Sequence, residues 1–185
     1  MSKITSKFVR GRRFLAREDG VAVLEFVVVF PVMFLMMSAY FEVGWHSTRA
    51  IMLERGLDIA ARDVRLGIGD LSHDGIKAKV CEHAAIIAKC ERDLILELVE
   101  MDLAADYPRN APNCIDRASE IEPTITFSGT GRDKIVFLRA CVIVDPILPG
   151  IGIGLGLREN QPGASRGSPS NGYQISAHTA FMNEP

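Results

Sequence analysis

From Val21 to Phe41 this chain runs for 21 residues in which Glu25 is the only charge. No other feature restricts the fold as much. Coiled as a helix, the run is about 31 Å long, close to the roughly 30 Å hydrocarbon layer of a bilayer, so the segment can cross a membrane. A carboxylate inside such a run costs about 2.5–3.5 kcal/mol at the bilayer centre and less near its edge. Glu25 therefore calls for a task or a partner.

Charge is distributed unevenly around this segment. Residues 1–17 hold Lys3, Lys7, Arg10, Arg12, Arg13 and Arg17 with no acid, and everything beyond the apolar run is mixed in sign. By the positive-inside rule the N-terminus stays in the cytoplasm and the chain after about Trp45 is exported, with Trp45 suited to an interfacial aromatic anchor. An ordinary cleaved secretory signal fits poorly. Its apolar region runs about 7–15 residues to a small-x-small cleavage site, whereas here the run is longer and offers only Ser38-Ala39-Tyr40. A formal net charge of −2 argues against nucleic-acid binding, which asks for a basic face.

Gly20 followed by Val21, Ala22, Val23, Leu24 and Glu25 resembles the processing site of type IV prepilins, in which a membrane peptidase cuts after the glycine and glutamate is the fifth mature residue. The wider stretch GVAVLEFVVVFPVMFLMMSAYFEVGW, then RAIMLERGLDIAARDVRLG, resembles the TadE-like family of the tight-adherence (Flp) pilus system. Glu25, Pro31, Glu42, Gly44 and the following alanine- and arginine-rich helix carry that likeness, which covers about the first third of the chain. The resemblance implies a cut between Gly20 and Val21, and an assembly role in which Glu25 pairs with the new Val21 amine of its own or a neighbouring subunit. It implies a pseudopilin or minor pilin-like component of tight-adherence (Flp, type IVc) pilus assembly in the bacterial inner membrane. Its partners would be prepilin peptidase, other pilus subunits, inner-membrane assembly proteins and the lipid bilayer. Two other readings stay open: an uncleaved single-pass protein whose periplasmic domain binds envelope or pilus partners, and an anchored enzyme.

Four cysteines, Cys81, Cys90, Cys114 and Cys141, all follow the apolar run. An even number in an oxidising compartment reads as two disulfides, and four cysteines allow three pairings. Nearness in sequence, together with the two such loops that variants of the resembled family use, favours Cys81–Cys90 and Cys114–Cys141. Nine residues of continuous helix separate alpha carbons by about 13 Å, beyond disulfide reach, so this pairing requires a helix to end before Cys90.

The expected fold is α+β: a long N-terminal transmembrane and amphipathic helix, then a small disulfide-stapled domain with an antiparallel sheet. Residues 1–20 form a basic leader, 21–45 the transmembrane segment and 46–185 an exported pilin-like domain. The helix runs from Val21 to about Leu66, with Ile51, Leu53, Leu57, Ala60, Ala61 and Val64 as its apolar residues. Gly67 and Gly69 stop it, and Pro31 predicts a kink. Ser72 caps a second helix reaching about Lys89. Leu94–Val99 alternates as a strand, although its Leu and Glu content also suits a helix. Residues 103–123 read as loop, and Thr124–Phe127, Ile135–Val144 and Tyr173–Phe181 as strands. The glycine-rich stretch 149–172 reads as a flexible connection with an apolar tip.

Enzyme chemistry finds little footing. There is no G-x-S-x-G and no HExxH, and His46, His73, His83 and His178 are scattered. Cys81, His83 and Cys90 match no standard zinc spacing. The glycines at 150–156 lack the lysine of a phosphate-binding loop. No catalytic residue, cofactor or metal is expected.

Overall fold

The computed structural model describes residues 21–101, 107–108, 110, 114–115, 126–127, 134–148 and 172–182. The basic leader, Gly20, most of the 103–123 loop, Thr124 with Ile125, and nearly all of the glycine-rich stretch lie outside them. The chain forms two compact units, Met1–Tyr40 and Phe41–Pro185.

One helix, α1, runs from Val21 to Leu66 without interruption at Pro31, Gly44 or Gly56. Its C-terminus closes by local chemistry. Gly67 at φ +65° takes the left-handed position that a side chain disfavours. The Ile68 amide then donates to the Asp63 carbonyl (3.0 Å) and the Gly67 amide to Val64 (3.1 Å), the paired bonds of a Schellman cap. Asp70 and Ser72 then start the next helix. The Asp70 carboxylate accepts from the Ser72 amide (2.9 Å), which holds its carboxyl below the usual range, and the Ser72 hydroxyl accepts from Gly75 (3.1 Å).

Helix α2 spans His73–His83 and stops short of the expected Lys89. Residues 84–89 turn instead. The Ala84 amide donates back to Val80 and the Ile87 amide to Ala84, and Lys89 adopts φ 57°. A four-residue helix, α3, follows at Cys90–Asp93. The reversal brings the alpha carbons of Cys81 and Cys90 to 5.6 Å, and the two residues form a disulfide.

Three strands form one antiparallel sheet in the order β1 (Leu94–Met101), β2 (Ile135–Val144), β3 (Tyr173–Met182). Alternation sorts their side chains. Leu94, Leu96 and Leu98 of β1 share a core with Leu138, Ala140 and Val142 of β2 and Ile175 and Ala177 of β3. Leu53, Leu57, Ala60 and Val64 of α1 and Ile76 and Val80 of α2 join the same core. Cross-strand triples such as Leu96–Ala140–Ala177 keep the register, because a slip of one residue would turn every leucine to the wrong face. Of the expected strand at Thr124–Phe127, the described part is a single parallel bridge between Phe127 and Leu98, with the Leu98 amide donating to Thr126 at 3.0 Å.

The opposite sheet face is covered over β1 and β2. There Glu97 and Arg139 face each other across β1 and β2, both about nine-tenths buried. Arg139 Nε donates to Glu97 Oε2 at 2.8 Å, Nη2 donates to the same oxygen, and Nη1 donates to the Asn110 carbonyl at 2.7 Å. Tyr107 packs edge-on against Phe137, with ring centroids 4.9 Å apart. Cys114 bonds to Cys141 across an alpha-carbon separation of 5.4 Å, fixing a segment far along the chain to the sheet. Burial on both faces explains why Ile95 is apolar as well as Leu94, Leu96 and Leu98.

α1 and α2 meet backbone to backbone at Gly56. A methyl group there would lie 2.6 Å from the Val80 carbonyl oxygen, whereas one at Gly44 would meet nothing within 4 Å. Gly56→Ala is therefore expected to destabilise the fold by about 1–3 kcal/mol through overpacking, and Gly44→Ala to leave it unchanged or slightly firmer. Thermal or urea unfolding of the detergent-solubilised full chain checks this; equal stability of the two variants would contradict the close approach.

Candidate functional site

The first unit consists, in its described part, of the α1 residues up to Tyr40. Every residue from Ala22 to Met37 is exposed. Fifteen large apolar side chains between Val23 and Phe41 show half or more of their surface, far beyond the few hundred Å² of contiguous apolar patch that a soluble monomer tolerates. A core helix of a soluble protein would be buried. This one is long and apolar enough to span a membrane and has none of its most apolar stretch inside the protein. Phe26, Phe30 and Phe34 stack one turn apart along it, with centroids 5.0 and 6.1 Å apart.

Within that surface Glu25 is exposed and takes part in no ion pair among the described residues. Its carboxylate projects from the first turns of an otherwise uncharged cylinder. Gly20 lies outside the described residues, and Val21 is the first residue of α1. Val21 and Glu25 thus sit in the first turns of one helix. Backbone geometry there adds nothing to their chemistry beyond helical spacing.

A second polar feature opens the Phe41–Pro185 unit. Glu42 is 3 % exposed and neither of its carboxylate oxygens has a hydrogen-bond partner. One turn on, the His46 ring packs edge-on against Tyr173, with centroids 5.1 Å apart, and its Nδ1 is also unpartnered. Two turns on, the Arg49 guanidinium donates through Nη1 to the Asp145 carbonyl (2.7 Å) and the Tyr173 hydroxyl (3.2 Å). Arg49 also lies 5.2 Å from the Trp45 ring centroid, within cation–π range, while its buried Nε donates to nothing.

Arg49 thus ties α1 to the end of β2 and the first residue of β3. The sequence suits Trp45 to an interface and leaves His46 among scattered histidines. The available signal was the 42–46–49 spacing, which puts all three side chains on one helix face.

The four cysteines sit away from this cluster in sequence and form the pairs Cys81–Cys90 and Cys114–Cys141, leaving no free cysteine. Among the described residues no group of three or more His, Cys, Asp or Glu side chains is arranged to hold a metal. Removing the longer bridge by Cys114→Ser with Cys141→Ser is expected to cost about 2–4 kcal/mol, since it releases a loop of 27 residues in the unfolded chain. Denaturation of the full chain, paired with non-reducing peptide mapping of the parent protein, tests both the cost and the connectivity. In comparisons with protein-family models, with curated proteins and with solved structures, the chain finds no match.

Proposed function

We propose that this chain is a pseudopilin or minor pilin-like component of tight-adherence pilus assembly, made as a precursor and inserted once through the bacterial inner membrane. The observation that carries the reading is the exposed apolar start of α1, with a lone carboxylate five residues after Gly20. Such a surface is stable only in hydrocarbon or against other apolar helices. The basic leader on its N-terminal side directs the rest of the chain to the periplasm, where both disulfides persist. Cleavage after Gly20 would create a cationic amine on Val21. That amine can neutralise Glu25 within its own helix or on a neighbouring one, replacing a costly isolated charge by a pair. The small disulfide-stapled unit then serves as the displayed part, and prepilin peptidase, other pilus subunits and inner-membrane assembly proteins are its partners.

Mass analysis of the protein isolated from its own membranes, in cells that carry the peptidase, is expected to find Val21 as the first residue. Gly20→Lys should block the cut by bulk at the scissile position. An intact Met1 or Ser2 terminus in the parent protein would favour the uncleaved single-pass protein, whose periplasmic domain binds envelope or pilus partners.

The carboxylate is tested separately. Glu25→Gln is expected to leave export, processing and disulfides intact while lowering co-purification with pilus components, normalised to mature protein. Glu25→Ala makes insertion cheaper by roughly 2 kcal/mol or less at this edge position, so an assembly defect there cannot come from poor anchoring. Full piliation in both variants would reduce Glu25 to a tolerated charge.

A further inference from the structure

Glu42 is a charged side chain that the fold encloses and does not pair. Both oxygens lack a donor at 3 % exposure, although a buried acceptor without a partner ordinarily costs as much as the desolvation of that group. Its own element supplies no relief. His46 Nδ1 and Arg49 Nε, the nitrogens one and two turns away on the same face, are unpartnered as well, and Nη1 of Arg49 is committed to Asp145 and Tyr173. The chain neighbours Phe41 and Val43 are 66 % and 44 % exposed, so the helix surface on either side of Glu42 is open.

From this geometry we infer that Glu42, with His46 beside it, is the acceptor for a basic side chain, a lysine ammonium or an arginine guanidinium, on a partner polypeptide. An unpaired buried charge in one subunit is the half of an ion pair whose complement arrives on assembly, and such pairs set partner choice and register more than raw affinity. A long basic side chain also suits the approach, because its methylene stem can lie along the exposed Val43 while its head reaches the carboxylate.

A second copy of this chain is the weaker donor. Held in the same membrane at the same level it offers Arg49, which Asp145 and Tyr173 already hold. The inference rests on the single-pass reading above, which sets Glu42 where the apolar run ends and where another membrane-anchored chain carries its own flanking basic residues.

The test uses the full chain in its native membranes with a photo-reactive benzoylphenylalanine at Val43. The expected result is a light-dependent adduct whose partner peptide contains a lysine or arginine. Its yield should fall about tenfold in Glu42→Gln, the ratio for one lost charge-assisted contact, and return when Glu42→Lys is combined with reversal of that partner residue to glutamate. Glu42→Gln should meanwhile keep both disulfides and unfold roughly 2–4 °C higher than the parent in detergent, because an unpaired buried charge has gone. A merely structural glutamate would lose stability instead.

Adducts only to lipid, to a second copy or within the chain, a partner peptide without a basic residue, no adduct, unchanged yield in Glu42→Gln, or failed charge reversal would each overturn the inference. A charge-reversible partner outside the pilus system would leave it standing while the proposed function fell. Normal Val21 processing and a Glu25 assembly defect without any such adduct would do the reverse.

Discussion

Leu53, Leu57, Ala60 and Val64 are each at most 1 % exposed along one side of α1, and the whole C-terminal unit depends on that buried stripe. It supplies one wall of the core, with the sheet and α2 packing onto it. The same helix, before Glu42, turns apolar side chains outward on every side. Two kinds of hydrophobic burial therefore act on one continuous element. The later stretch is removed from water by its own chain, whereas the earlier stretch must be removed from water by something else. Helical hydrogen bonding is indifferent to the distinction, so α1 passes from one regime to the other without a break.

One face of the three-stranded sheet takes the helices; against the other lie the segments that carry Tyr107, Asn110 and Cys114, held by discrete links. The Cys114–Cys141 bond, the Tyr107–Phe137 contact and the Arg139 bond to Asn110 anchor those segments at three points. Glu97 gives Arg139 its counter-charge across the sheet. A buried pair of this sort adds little net stability over apolar residues of similar size, but loss of either partner strands the other, at roughly 3–5 kcal/mol. Its contribution is to specify which strand lies opposite which, and where the covering segment crosses.

Much of this arrangement was legible in the sequence. The limits of α1 and of β2 follow from unbroken apolar periodicity, two glycines and dense β-branching, all local signals of high strength. The reach of α2 was not legible. Residues 84–89, AAIIAK, are good helix formers and extend the periodic pattern, yet the chain turns there because Ile87 enters the core and Cys90 bonds to Cys81. Tertiary demand overrode propensity. At β1 the ambiguity between strand and helix comes instead from its leucine and glutamate content, which also suits a helix. The Glu42 cluster escaped notice for a different reason: a sequence shows that a charge exists, but only coordinates show that it has been enclosed and left without a partner.

The close approach at Gly56 has a consequence for how this helix can vary. Before Glu42 the exposed apolar side chains meet no fixed neighbour among the described residues, so an apolar residue of nearly any shape fits this chain. Around Gly56 the neighbour is a fixed carbonyl of α2, and the acceptable alphabet shrinks to a single letter. Substitutions should therefore accumulate freely in one part of α1 and be refused residue by residue in the other. One secondary-structure element carries two substitution rules, and the change from one to the other marks where the chain stops answering to its surroundings and starts answering to itself.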